Sequence, residues 1–193
     1  MKIGIIGKGH VGTAIGEGLS RKGHEIKFGH RNLKEPVLEA AKWGEVIILA
    51  VPHGAAADVT AAMGSAADGK TVVDVSNALN EKGELAIGFS TSAAEEIQKK
   101  LPKAHVVKAF NTVFAGNQST GRISGEQLTL FVAGDDAEAK QAVMQLGRDI
   151  GFDAVDAGPL RAARYLEPMG MLMISLGYDL GMGTEIGYKL VKG

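Results

Sequence analysis

Cysteine is absent from this chain of 193 residues, which rules out disulfides, thiolate catalysis and cysteine-ligated metals. That absence suits any compartment and assigns none. Charge of one sign is also missing. The 21 basic and 22 acidic residues leave a net charge of −1, so nothing calls for nucleic acid or an anionic membrane as partner. No apolar run approaches the roughly 20 residues of a membrane span. The amino terminus lacks the length and the small-residue cleavage site of a signal peptide. The expectation is a cytoplasmic protein. Aromatic residues are scarce, at 5%. Glycine is abundant, at 27 residues, as a fold with tight turns and close backbone approaches requires.

The first glycines carry the most information. A short apolar run, Lys2 to Ile6, enters Gly7-Lys8-Gly9-His10-Val11-Gly12, and a helical pattern with Ala14, Ile15, Gly18 and Leu19 leaves it. This is the spacing of a dinucleotide-binding turn in a βαβ unit. Gly7 permits the tight turn, Gly9 lets a pyrophosphate approach the backbone, and Gly12 lets helix and strand pack closely. The helix amino terminus then offers unpaired N–H groups and partial positive charge to a diphosphate.

Where the second strand ends, the chain reads Phe28-Gly29-His30-Arg31-Asn32. A site for NAD usually keeps an Asp or Glu there for the ribose hydroxyls. Arg31 suits a 2′-phosphate instead, with His30, Asn32, Lys34 and Lys8 as further contacts, so the expected cofactor is NADP(H). An Arg31 that merely faces solvent is the competing reading.

Further strands are expected at Val46 to Val51, Thr71 to Val75, His105 to Phe110, Gln127 to Val132 and Phe152 to Val155. Helices are expected at 33–42, 54–67, 92–100 and 137–150, with Ser92 and Glu95 as a capping box. The alternation predicts an α/β fold, a Rossmann-type and mostly parallel sheet with helices on both faces. Residues 1–158 are read as the NADP(H)-binding domain. Residues 159–193 are read as a helical appendage, formed by a Met-rich helix at 160–178 and a short second segment at 181–190. The carboxyl edge of the sheet then carries Ala50-Val51-Pro52 and Ser76-Asn77 as cofactor contacts. His53, just beyond, is read as a helix-start residue rather than an acid or base.

A second site is expected where Phe110-Asn111-Thr112-Val113-Phe114 leaves the fifth strand. Asn111 and Thr112 can hold a carboxamide or ring heteroatom, and Phe114 can supply an apolar wall beside Val113. The alternative is a plain strand end with one capping Asn. The loop from Ala115 to Gly125 is either a cover for this pocket or a surface excursion. Arg161, Arg164 and Glu167 share a helical face, open either to an acceptor's phosphates or to solvent. His10, His24 and His105 have no carboxylate at metal-like spacing, so no metal is assigned. No general acid is nominated, which disfavours carbonyl reduction.

With these segments placed, the chain resembles the NADPH-dependent coenzyme F420 reductase family (NADP oxidoreductase, coenzyme F420-dependent). It is also similar to the cytosolic NADPH-binding domain of membrane metalloreductases. The residues that carry this are Gly7 to Gly12, Gly29-His30-Arg31, Lys108 to Thr112, Asp156 to Leu160 and Gly181-Met182-Gly183. The resemblance implies hydride transfer by ring stacking, without covalent catalysis. It implies that Lys8 to Val11 hold the diphosphate and that His30 and Arg31 meet the 2′-phosphate. Ala115 and Met182 would approach the nicotinamide, and Asn111 to Ala115 would flank the second ring. It further implies a homodimer and a small redox acceptor such as coenzyme F420, FMN, FAD or a quinone. The rival functions are an NADP(H) sensor without turnover and an NADPH-dependent reductase of a small carbonyl or imine.

Overall fold

The computed structural model describes residues 1–30 and 36–193. Its frame is a seven-stranded sheet in the order β2-β1-β3-β4-β5-β8-β9. These strands are β1 (Lys2–Ile6), β2 (Glu25–Gly29), β3 (Val46–Leu49), β4 (Thr71–Asp74), β5 (His105–Lys108), β8 (Thr129–Gly134) and β9 (Asp153–Asp156). A two-residue hairpin, β6 (Arg122–Ile123) with β7 (Glu126–Gln127), lies outside it. Strands β1 to β5 run parallel, as alternation with helices demands.

The hairpin explains the one reversal. No crossover helix joins β5 to β8, so the chain turns back at the same rim and β8 pairs antiparallel to β5. Sequence periodicity cannot show this. The expected sixth strand at 127–132 therefore starts two residues late, and the 115–125 segment is a 3-10 turn plus the hairpin.

Helices α1 (His10–Ser20) and α5 (Ala137–Ile150) cover one face of the sheet. Helices α2 (Val37–Trp43), α3 (Ala56–Met63) and α4 (Ala93–Lys100) cover the other. Residues on successive strand positions supply two separate cores, one holding Ile3, Ile5 and Ile48, the other Ile6, Ile47 and Leu49. The expected 54–67 helix is shorter, with 3-10 turns at both ends and His53 opening the first. Half of the expected capping box is formed: Ser92 Oγ accepts from the Glu95 amide at 3.2 Å, while the Glu95 carboxylate accepts from the Ser92 hydroxyl at 2.8 Å and not from its backbone N–H. Among the described residues no helix is long and apolar enough to cross a membrane.

After β9 a 3-10 turn leads into α6 (Ala163–Ile174), which ends in a π-helical turn at Ser175–Asp179. The 181–190 segment is not helical. It runs as an irregular tail against β8, where the Thr129 amide donates to the Tyr188 carbonyl at 2.9 Å and Leu190 donates to Thr129 Oγ1.

Of the three residues expected on a face open to an acceptor or to solvent, Arg161 is exposed and Arg164 half-buried, but Glu167 is turned inward. Glu167 is fully buried, and so is its partner Lys108 at the end of β5. Lys108 Nζ lies 2.9 Å from Glu167 Oε1 and 2.7 Å from Asp74 Oδ2, and it also donates to the Ser76 carbonyl. Glu167 Oε2 accepts from the Ala93 amide at 3.0 Å, the first turn of α4. One ammonium thus sits between two carboxylates, and a helix amino terminus supplies further positive character. Breaking such a buried group from one side strands a charge. Lys108→Met should cost about 3–5 kcal/mol in chemical denaturation. A loss below about 1 kcal/mol would contradict this account.

Arg164, one turn earlier, forms a two-pronged pair with Glu95 on α4, with contacts of 2.7 and 2.9 Å. The guanidinium holds the Glu95 carboxyl below its ordinary value against the opposing effect of burial, and the Ser92 hydroxyl assists. A carboxyl depressed in the folded state contributes stability above its unfolded pKa of about 4.3 and loses it as pH falls through the folded value. Arg164→Ala should therefore raise the Glu95 pKa in a side-chain NMR titration and make stability less pH-dependent in that acid range. An unmoved titration curve would refute the pairing.

Candidate functional site: two cavities meeting at the glycine turn

The strand order 2-1-3 places a crevice at the carboxyl ends of β1 and β3. Gly7 leaves β1 with φ +109°, a conformation that side chains resist, and a Cβ there would stand 2.1 Å from the Ala50 carbonyl oxygen. A Cβ on Gly12 would stand 2.3 Å from the Gly7 carbonyl oxygen, so α1 packs on the turn only because Gly12 is bare. Gly9 differs. A Cβ added there meets nothing within 4 Å, and its φ of −81° suits any residue. Packing does not explain this glycine. An approach by a ligand's phosphates does, and the first-turn amides of α1 that follow it have no carbonyl partner within the helix.

A cavity of about 350 Å³ opens beside this turn. It gathers Gly7, Lys8, Gly9, His30, Ala50, Val51 and Pro52 of the residues expected to hold the cofactor, with Val37 and Val59 as apolar floor. Lys8 Nζ lies 5.5 Å from the centre of the Phe28 ring, which keeps its charge at this rim. The specificity expectation for Arg31, Asn32 and Lys34 lies outside the described residues.

A second cavity, of about 320 Å³, lies at the ends of β4 and β5 under α6. His10 and Val11 line it, so the turn that borders the first cavity at Lys8 and Gly9 borders the second two residues later. Asn77, Asn111, Val113, Phe114 and Ala115 also line it. The two Asn side chains lock each other. Asn111 Nδ2 donates to Asn77 Oδ1 at 2.9 Å and to the Leu166 carbonyl at 2.7 Å, and Asn77 Nδ2 returns a bond to the Asn111 carbonyl. Phe114 meets Tyr178 edge to face, with centroids 5.5 Å apart.

Helix α6 supplies the opposite wall through absent side chains. A Cβ on Gly170 would stand 2.4 Å from Asn77 Oδ1, and one on Gly177 would stand 2.6 Å from the Phe114 ring. Sequence reasoning missed both glycines because no turn or fingerprint marks them.

Three expected contacts are placed elsewhere. Thr112 is buried in the turn that follows β5 and lies outside the cavity lining. Ser76 faces the Lys108 cluster, where its hydroxyl donates to Asp74 Oδ1 at 2.7 Å. Met182 is 58% exposed in the tail and lines neither cavity. Two of the three histidines read as having no carboxylate at metal-like spacing each meet a single carboxylate in space. His24 lies 3.0 Å from Asp149 and His105 lies 3.3 Å from Asp136, both on α5 or its cap and remote in sequence.

Comparison with known proteins agrees with this geometry. Residues 2–78 match the family described as NADP oxidoreductase, coenzyme F420-dependent. Rat metalloreductase STEAP3 is 33% identical over 90% of this chain and 37% of its own length. The F420-dependent NADP reductase of Methanocaldococcus jannaschii is 31% identical over 72% of this chain and 64% of its own length. The chain thus spans little more than a third of the metalloreductase and less than two thirds of the archaeal reductase. An Arthrobacter protein put forward as an F420-dependent NADP-reductase superposes with a TM-score of 0.92 at 29% identity, each chain covering 100% of the other.

The glycine geometry separates structural from ligand roles. Gly7→Ala should destabilise by more than about 2 kcal/mol. Gly9→Ala should leave thermal stability unchanged or raise it by about 0.4–1 kcal/mol. Equal melting temperatures for the two variants would contradict the assignment.

Proposed function

We propose that this chain, whose residues 2–78 belong to the coenzyme F420-dependent NADP oxidoreductase family, exchanges a hydride between NADP(H) and a planar, flavin-like acceptor. The observation that carries this is the meeting of two cavities at one glycine turn, with Lys8 and Gly9 on one side and His10 and Val11 on the other. A dinucleotide that crosses the turn puts its adenosine half in the first cavity and its nicotinamide at the second. Coenzyme F420, FMN or FAD is the class of acceptor that fits the mainly apolar second cavity.

The residues present suit the cofactor. The open space at Gly9 admits a diphosphate to the α1 amides, and Lys8 adds positive charge. NADP(H) supplies the transferable hydride when bound. The chain's own contribution is orientation and exclusion of water. Asn77 and Asn111, each held by the other, offer rigid amides at the cavity edge. Phe114 and Tyr178 form an aromatic wall against solvent. No proton need move through a side chain, and among the described residues the two cavities are lined by no paired acid and base.

The test is a binding and turnover panel with NADPH, NADH and, separately, F420, FMN, FAD and a quinone. Arg31→Ala should weaken NADPH by about tenfold or more relative to NADH, as loss of a charge-assisted phosphate contact implies. Gly9→Ala should weaken both coenzymes. NADPH binding without turnover on any acceptor would favour a sensor, and no binding at all would end the proposal.

A further inference from the structure

The second cavity contains a polar group that neither the glycine fingerprint nor the expected acceptor contacts include. Gln118 is fully buried and lines this cavity. Its Nε2 donates to the Phe110 carbonyl at 2.8 Å and to the Val113 carbonyl at 2.9 Å. Carbonyls only accept, so both partners require the nitrogen at that position and the amide cannot be reversed. The orientation of Oε1 is therefore fixed. Among the described residues that oxygen has no hydrogen-bond partner. A buried acceptor left unmatched is costly, and buried side-chain polar atoms rarely lack a partner.

The backbone around it is held at a cost as well. Phe110 is a buried aromatic residue with φ +66°, a conformation seldom taken by anything but glycine, Asn or Asp. Gln118 Nε2 grips its carbonyl, and the Phe110 ring is fixed edge to face against Phe152 at 5.9 Å. A strained peptide and an orphaned acceptor at the same cavity mark a place organised for a ligand.

Resting on the reading of this cavity as a ring site, we propose that Gln118 Oε1 recognises a ring by a carbonyl-flanked N–H. That donor belongs either to the carboxamide of the nicotinamide or to the imide of a flavin-like acceptor. Both present the same chemistry: an N–H made a good donor by an adjacent C=O. Gln118 is then a specificity residue, and its two amide protons serve to aim its oxygen.

Two ligand pairs remove the donor from one ring at a time. The 3-acetylpyridine analogue of NADPH replaces the carboxamide nitrogen by a methyl group. N3-methyl FMN, tested with NADP⁺ bound, blocks the imide. The wild-type protein should bind one donor-less analogue about tenfold or more weakly than its parent, the cost of leaving a buried acceptor unmatched. The pair that discriminates names the ring. In protein carrying ¹³C at glutamine Cδ, the Gln118 resonance should move downfield with that parent and stay in place with its analogue. This second measurement needs no variant. Gln118→Leu, where it folds, should bind both members of the pair alike. Equal binding within both pairs, an unmoved Cδ resonance, or discrimination retained in Gln118→Leu would overturn the inference. A wild-type protein that fails to bind NADPH would instead overturn the function on which it rests.

Discussion

A single buried ammonium joins four elements on the side of the second cavity. Lys108 closes β5, Asp74 closes β4, Ser76 starts the following loop, and Glu167 comes from α6 with its other oxygen on the first turn of α4. Removing charges from water is expensive, and only full pairing offsets the expense. Here the excess negative charge is met by backbone amides at a helix start, where the peptide dipoles favour an anion. The geometry has little slack, because any displacement of α6 would part Glu167 from both of its partners. What it secures is the position of a wall. Three residues after Glu167, Gly170 lies against Asn77, and further along Gly177 lies against Phe114.

The two halves of the site are built by different means. At the first cavity the geometry resides in backbone: a turn that tolerates only glycine at residue 7, an open approach at residue 9, and helix amides beyond. At the second cavity it resides in side chains whose freedom has been removed by other side chains. Asn77 and Asn111 hold each other, Gln118 is held by two carbonyls, and Phe114 is held by Tyr178. Both devices reduce the conformational cost of ordering groups around a bound ring. That is the main lever open to a protein when the cofactors carry the electronics.

The nucleotide half was largely legible in the order of residues, because its determinants are local. The fingerprint at Gly7, Gly9 and Gly12 needs only a strand before it and a helix after it. The N-cap at Ser92 and the helix at 137–150 were equally plain. The acceptor half was less so. Lys108 stands out in the sequence only as part of a family motif, since a lysine in a strand does not announce carboxylates 34 residues before it and 59 residues after it. Helical spacing aligns Glu167 with two arginines on a face open to an acceptor or to solvent. Its burial depends on the packing of α6 over α4. Gln118 lies in a loop low in apolar content, and its burial depends on that loop folding back so that its amide meets the Phe110 and Val113 carbonyls. The reversal of β8 and the irregular tail at 181–190 are long-range choices that periodicity does not encode.

The reversed strand has an electrostatic result. Because β8 runs against β5, α5 begins at the far rim, where its cap Asp136 meets His105 at the start of β5. Helix α6 then ascends from that end and arrives at the cavity with its carbonyl end, not its amide end. The amide end of α4, which does face the site's rim, is already filled by Glu167. The amide end of α1 reaches the second cavity through His10 and Val11, opposite the carbonyl end of α6 at Met173 and Ile174. The second cavity therefore lies between a positive helix pole and a negative one, and whatever enters it meets opposite fields on its two sides.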